Sequence, residues 1–339
     1  MQDIVFTYLL FLAQTITLAL AIVFILGSIF SIAQRQKQQL KEGRMHVTHL
    51  NQKLKDQTQW VQSEILEPKV FKTLLKKIKT QENAKKRQKS APQRHRLFVL
   101  SFTGDLMASS TPTLQTLINT LLPMLDTDLD RVLIKLESPG GVVHGYGFAA
   151  SQLARIKAKG IPLIIAVDKV AASGGYMMAC IADELIAAPF AIIGSIGVIG
   201  QLPNFHRLLE KNNIDYEQHT AGEYKRTLTV FGKNTPKARE KFQETLEITQ
   251  DLFKQFIQEH RPKLADHMDE VATGEYWYGT QALEKKLVDT LSTSDDLILE
   301  AIQTQDVYEL TYEVHKSLKE KWTQTAWSCL HRIGALFAQ

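Results

Sequence analysis

The stretch "IPLIIAVDKVAASGGYMMACIADELIAAP", Ile161–Pro189, decides the fold. It opens on an unbroken apolar run of strand length, "IPLIIAVD", and closes on another, "ELIAAP". Runs of this length without polar alternation suit strands buried on both faces, and the intervening "GGYMMACIA" reads as a helix. Strand, helix and strand make a βαβ unit with parallel strands. One hydroxyl, Ser173, stands at the strand-to-helix junction between two alanines and two glycines. Small neighbours let a second backbone approach, and glycine accepts turn conformations closed to other residues.

The alternation extends in both directions. "LFVLSF" from Leu97 reads as a strand, "TLQTLINTLLPML" has helical spacing, and "RVLIKL" is a strand ending in the turn "ESPGG", Glu137–Gly141. "VVHGYGFAASQLARIKAKG" is a helix closed by Gly160. Beyond "GSIGVIG", the segment "LPNFHRLLEKNN" is a helix. "NTPKAREKFQETLEITQDLFKQFIQEHRP" is a long one, with Asn or Thr as cap, Pro236 in its first turn and Pro262 at its end. Phe242, Leu246, Phe253, Phe256 and Ile257 give it an apolar face for burial. The fold class expected is α/β with βαβ units and a largely parallel sheet, over residues 97–305.

The 339 residues carry a mild formal net charge of +4 and two cysteines, Cys180 and Cys329, too few for a disulfide framework. No charged residue falls between Ile4 and Gln34. A bilayer-spanning helix needs about 20 mostly apolar residues, so residues 4–34 are expected to form a retained transmembrane anchor. A cleaved signal peptide would have a basic start and a shorter apolar run. Arg35, Lys37, Lys41 and Arg44 follow the span and only Asp3 precedes it, which places the following domain in the cytoplasm by the positive-inside rule. Asp183, Glu184 and Pro189 interrupt Met177–Gly200, so it is not a second span. Residues 35–96 read as a basic polar linker, partly helical. Its lysine-rich part, Lys69–Arg96, has Glu82 as its only acid, no interleaved aromatics and no nucleic-acid motif, so a solvated linker near anionic lipid is preferred to nucleic-acid binding. Residues 306–339 are expected to be a C-terminal tail helix, with Trp322, Ala326, Leu330 and Ile333 along one side.

Two features can carry chemistry. The paired glycines of "ESPGG", Gly140 and Gly141, either expose backbone N–H groups to an anion or serve a tight turn. Ser173 is followed by Gly174, whose N–H can donate to an oxyanion. Both turns lie at the finishing ends of successive strands, where parallel sheets bind ligands. Together they suit acyl transfer by a nucleophile beside two backbone donors. A serine needs a base. His206, His219, His260 and His267 lie in polar contexts, and Lys225 in "GEYKRTLTVFG" would serve only if burial kept its amine neutral. Residue types alone leave that choice open.

"SPGG", "KVAASGGYMMAC", "AIIGSIGVIG", "GEYKRTLTVFGKNTPKAREKF" and "GEYWYGTQALEKKLVD" together resemble the signal peptide peptidase A family in order and spacing, across roughly Leu97–Asp296. The N-terminal anchor and basic linker resemble its SohB branch. The resemblance implies a Clp protease/crotonase fold and a serine endopeptidase with a serine–lysine dyad. Its nucleophile would be Ser173 and its base Lys225; backbone N–H groups at Gly141 (or Gly140) and Gly174 would form the oxyanion hole, and Ser195 would orient the lysine. Glu137 stands where relatives often carry asparagine. The resemblance further implies extended apolar peptide substrates, such as signal-peptide remnants or damaged membrane proteins. It also implies a homo-oligomeric ring in the bacterial inner membrane, with a lysine that can reach the next chain, no cofactor and no metal, and it leaves a periplasmic catalytic domain open. Two rivals share the fold or the anchor: a crotonase-like acyl-CoA enzyme, which would need no Ser173, and an inactive membrane scaffold.

Overall fold

Strands that are apolar on both sides need cover on both faces, and the computed structural model of the chain supplies it with helices. It describes residues 43–87 and 94–313, together with Phe6, Thr7, Leu10, Phe11, Gln14, Thr15 and Thr17, which are helical. The chain divides into two compact units, Met1–His46 with Tyr312–Gln339, and Val47–Thr311.

In chain order the first elements are β1 (Arg44–His49), α1 (Leu50–Ile65), α2 (Pro68–Arg87), β2 (Arg96–Thr103), α3 (Thr111–Leu121) and β3 (Asp130–Glu137). Next come α4 (Val143–Ala158), β4 (Leu163–Val167), β5 (Val170–Ala172), α5 (Gly174–Ala179), β6 (Glu184–Ala187) and β7 (Ile192–Gly194). Then follow α6 (His206–Lys211), α7 (Pro236–His260), α8 (Met268–Val271) and β8 (Tyr276–Tyr278). The last are α9 (Gly279–Glu284), β9 (Thr290–Leu291), α10 (Ser294–Thr304) and β10 (Asp306–Glu313).

The main sheet has the order β1-β10-β2-β3-β4-β6-β9, and its neighbours from β10 to β9 are parallel. β4 is buried at every position, as a central strand covered on both faces should be. On one face Leu97, Val99, Leu133, Ile164 and Ile186 pack with Ile298 of α10 and Leu50 of α1. Strand alternation sends Leu100 and Phe102 to the other face, where α3, α4 and α5 bury Leu117, Leu153 and Tyr176. A smaller sheet joins β5 and β7 in parallel and β8 antiparallel to β7.

Carboxylates fix the starting ends of three successive main-sheet strands. Asp130 takes two 2.6 Å bonds from Arg96, Asp183 accepts Leu163 N–H at 2.9 Å, and Asp289 accepts Leu185 N–H at 2.8 Å. Asp289 is also gripped by Arg261, at 2.9 and 3.1 Å, and by Lys263. Burial opposes ionisation of Asp289, but the bonds from Arg261, Lys263 and Leu185 outweigh it and hold the carboxyl at about 2. The neighbouring Tyr176 hydroxyl donates to Leu287 O at 2.8 Å, which ties α5 to the same corner.

Several expectations are corrected. Asp306–Glu313 is a strand pairing with β2 rather than the beginning of a tail helix, because Val307 and Leu310 are apolar residues that bury in the sheet. Trp322, Ala326, Leu330, Ile333 and Cys329 lie outside the described residues. The larger compact unit begins at Val47 rather than Leu97, since Leu50 of α1 joins the core and Asn51 bonds Val307 N–H. In α7 only Phe253 and Ile257 are buried, whereas Phe242, Leu246 and Phe256 remain half-buried. Helix α6 is confined to His206–Lys211. Most of residues 4–34 lie outside the described residues, and no described helix is long and apolar enough to cross a membrane.

The Arg261–Asp289 pair yields a stability prediction. Asp289→Asn leaves a buried guanidinium without its counter-charge and should cost about 3 kcal/mol. In the wild type the folded carboxyl titrates near 2, below the ordinary value of about 3.9. Its stabilisation is therefore complete above about pH 4 and fades as pH falls towards 2. Urea melts at several pH values should show this acid loss in the wild type and a much weaker one in Asp289→Asn.

Candidate active site

A single bridge, Ser138 to Ala171, joins the end of β3 to β5 and so brings the "ESPGG" turn against the Ser173 turn. Ser138 N–H donates to Val170 O at 2.8 Å, and Ala172 N–H donates to Ser138 O at 3.0 Å. The two turns touch through their backbones. A Cβ on Gly140 would lie 2.6 Å from Ala172 O, 2.8 Å from Gly174 N and 2.8 Å from Ser173 Cβ. Gly140 also has φ +88°, where a side chain is strained. Glycine is required there on both counts.

Ser173 itself has φ 52° and ψ −119°, an unusual conformation for a residue with a Cβ. Its N–H donates to Gly194 O at 2.7 Å, and its carbonyl accepts Met177 N–H at 3.0 Å as α5 begins. Its side chain is half-buried, and Oγ makes no hydrogen bond with any described residue. Gly140 N–H is spent on Ser138 Oγ at 3.1 Å. The N–H groups of Gly141 and Gly174 have no acceptor among the described residues. The site therefore offers an unbonded hydroxyl on a strained backbone beside two unengaged amides.

Ser195 follows β7, where Gly194 is paired with Ala172, and so stands next to the Ser173 turn. It too has positive φ, 48°; its N–H donates to Glu275 O at 2.7 Å and its Oγ to Gly274 O at 3.3 Å. Cys180, at the end of α5, is fully buried, and burial pushes its thiol up to about 12, so it is no rival nucleophile. Glu137 forms an exposed ion pair with Lys169 at 2.9 Å.

Lys225 lines a cavity that does not include Ser173. It is exposed, its Nζ makes no hydrogen bond with any described residue, and it shares none with Ser173. Tyr216, His219, Arg226, Val230 and Phe231 line the same cavity of about 650 Å³. The segment around it closes on itself: Phe205 N–H donates to Val230 O, Asn204 Nδ2 reaches Thr229 O and Gly232 O, and the Phe231 ring makes tilted contacts with Phe205 and Tyr216. No residue between Ile196 and Phe253 is buried. This is an arm without cover of its own. Three of the four candidate histidines are engaged away from Ser173, His219 with Glu217, His260 with Phe256 O and His267 with Glu270, and His206 is half-buried at the start of α6.

Sequence reasoning missed Ser138 and Tyr146. Both are fully buried, and their hydroxyls lie 2.6 Å apart under the paired glycines. Nothing in the flanking sequence, "ESPGG" and "VVHGYGFAAS", marks either hydroxyl as buried.

Residues 155–308 match the description Peptidase family S49, and residues 3–153 match Peptidase family S49 N-terminal. "Probable protease SohB" of Haemophilus influenzae is 45% identical over 353 residues, covering 98% of this chain and 97% of that one. "Probable protease SohB" of Buchnera aphidicola subsp. Acyrthosiphon pisum is 54% identical over 228 residues, 67% of each chain. "Protease 4" of Salmonella typhi is 26% identical over 182 residues, 53% of this chain and 29% of that one.

Because both the φ and the space at Gly140 exclude a side chain, Gly140→Ala should lower stability by at least about 2 kcal/mol. Gly147, where a Cβ meets nothing within 4 Å, is the control, and Gly147→Ala should melt at or above the wild-type temperature.

Proposed function

Since the chain belongs to peptidase family S49 and is a serine-type peptidase of the SohB kind, we propose that Ser173 is its nucleophile and Lys225 its general base. The observation that carries this reading is the unbonded Ser173 hydroxyl at a strained turn with the unengaged amides of Gly141 and Gly174 beside it. Ser173 Oγ attacks the peptide carbonyl while neutral Lys225 Nζ takes its proton. The two amides hold the tetrahedral oxyanion, a contribution that typically amounts to about 10²–10³ in rate per donor. Collapse breaks the C–N bond, and the leaving amine takes its proton from Lys225. Water then attacks the acyl-enzyme, losing its proton to Lys225; collapse breaks the ester C–O bond, Lys225 returns that proton to Ser173 Oγ, and the acid is released. Gly140 keeps the turns in contact, and Ser195, whose own proton goes to Gly274 O, keeps a lone pair for the lysine. The repeated strand–strand units β4–β5 and β6–β7, with α5 between them, support assigning the Clp protease/crotonase fold.

In this reading a neighbouring copy of the chain supplies the base. The arm around Lys225 has no buried residue, and Leu208 and Ile214 on it are 56% and 55% exposed. A homo-oligomer covers these side chains and takes the amine out of water, as a neutral lysine requires. The uncharged run 4–34 would anchor the assembly in a membrane. Apolar peptides from membrane or signal segments are its expected substrates. The flanking basic residues favour a cytoplasmic domain; digestion by protease added outside spheroplasts would contradict that orientation.

Ser173→Ala and Lys225→Ala should each abolish cleavage of an apolar reporter peptide without unfolding the protein. Mixed and co-assembled, the two variants should regain activity at sites built from one intact serine and one intact lysine. Co-assembly without regained activity would overturn sharing between chains, and cleavage by either single variant would overturn the dyad.

A further inference from the structure

Behind the paired glycines lies a buried row of hydroxyls that the reaction above does not use. Tyr146 on α4 and Ser138 at the end of β3 are both fully buried. The Tyr146 hydroxyl donates to Asp105 O at 2.8 Å, which uses its one proton. Ser138 Oγ, 2.6 Å away, must therefore donate to Tyr146, and its remaining lone pairs accept Gly140 N–H at 3.1 Å. The direction of the whole row is fixed, from Gly140 N–H through Ser138 and Tyr146 to Asp105 O.

Both ends of the row are held. The Asp105 carboxylate accepts N–H bonds from Met107 at 3.1 Å and Ser109 at 2.8 Å and the Ser109 hydroxyl at 2.5 Å, which fixes the loop after β2. The next residue, Leu106, accepts Val142 N–H at 2.9 Å, on the far side of Gly141. The Tyr146 ring also lies under the other turn: a Cβ on Gly174 would come within 2.4 Å of Tyr146 Cγ. One side chain thus supports Gly174 through its ring and Gly140 through its hydroxyl. Burial raises the Tyr146 hydroxyl above its ordinary value, which keeps it protonated as a donor.

We propose that Tyr146 and Ser138 are positioning residues that set the spacing of the Gly141 and Gly174 amides for the oxyanion. The proposal rests on the serine peptidase reading. Neither residue touches substrate. Each acts through the backbone of the paired turns. Because a shift of about 1 Å in such donors can cost about 10²-fold in rate, loss of the row lowers turnover and leaves ground-state binding alone.

The test uses the full-length protein, its active sites titrated with a fluorophosphonate, and the variants Tyr146→Phe, Ser138→Ala and their double. Tyr146→Phe keeps the ring and removes only the hydroxyl. The expected result is a kcat at least about tenfold lower with KM within about twofold. A peptide aldehyde, whose adduct places an oxyanion at the amides, should lose affinity by the same factor. An uncleaved product peptide should bind as before. The double variant should lose no more than the larger single loss, since both act on one row. Unchanged kcat per titrated site, a loss confined to KM, or aldehyde affinity equal to wild type would overturn the proposal. Should Tyr146→Phe not fold, Ser138→Ala carries the same readings. Ser173→Ala is the control: if it is inactive while Tyr146→Phe is normal, positioning fails alone, and if it still cleaves, the peptidase reading fails with it.

Discussion

Contact between two backbones, at Gly140 and at Ser173–Gly174, is the constraint on which the rest of the site depends. Two strands finishing side by side would ordinarily keep their turns apart by the width of a side chain. Here the Ser138–Ala171 bridge draws them together, glycine at 140 and 175 removes Cβ atoms that would block the approach, and glycine at 174 leaves room for the Tyr146 ring. The cost is a serine at φ 52°. The same contact leaves the Ser173 hydroxyl unbonded at the start of α5, beside two amides with nowhere to donate.

The sheet divides its work between its edges. Asp130, Asp183 and Asp289 lock the starting ends with charged hydrogen bonds, where rigidity has no chemical cost. The finishing ends carry glycine turns that leave donors open. Between Ile196 and Phe253 no residue of the chain is fully buried. A segment that closes on itself through Asn204 and Phe231 yet exposes Leu208 and Ile214 has a defined shape without a defined cover. Under the proposed dyad, a lysine on such an arm would make activity a property of the assembly: the same contact that covers the apolar side chains would desolvate the amine.

The central βαβ pattern was legible because its strands are uninterrupted apolar runs and its turns carry glycine. Ser173, Gly140, Gly141 and Gly174 were visible for the same reason. The sequence could not say which of the paired glycines keeps a free N–H, because that depends on the direction of the bond from Gly140 to Ser138 Oγ. Ser138 and Tyr146 were hidden, since a buried hydroxyl pair eight residues apart has no periodic signature. The strand at Asp306–Glu313 was hidden because its partner, β2, lies some two hundred residues earlier and only tertiary pairing recruits it. The half-burial of Phe242, Leu246 and Phe256 was misjudged because helical spacing marks an apolar face without telling whether this chain or another covers it.

The most direct test is to treat the assembled wild-type protein with a fluorophosphonate and locate the adduct by peptide mass spectrometry. One adduct per chain, on the peptide containing Ser173, is the result expected of an activated hydroxyl facing two open amides. An unmodified Ser173 in protein that still cleaves peptides, or an adduct on another residue, would contradict the account.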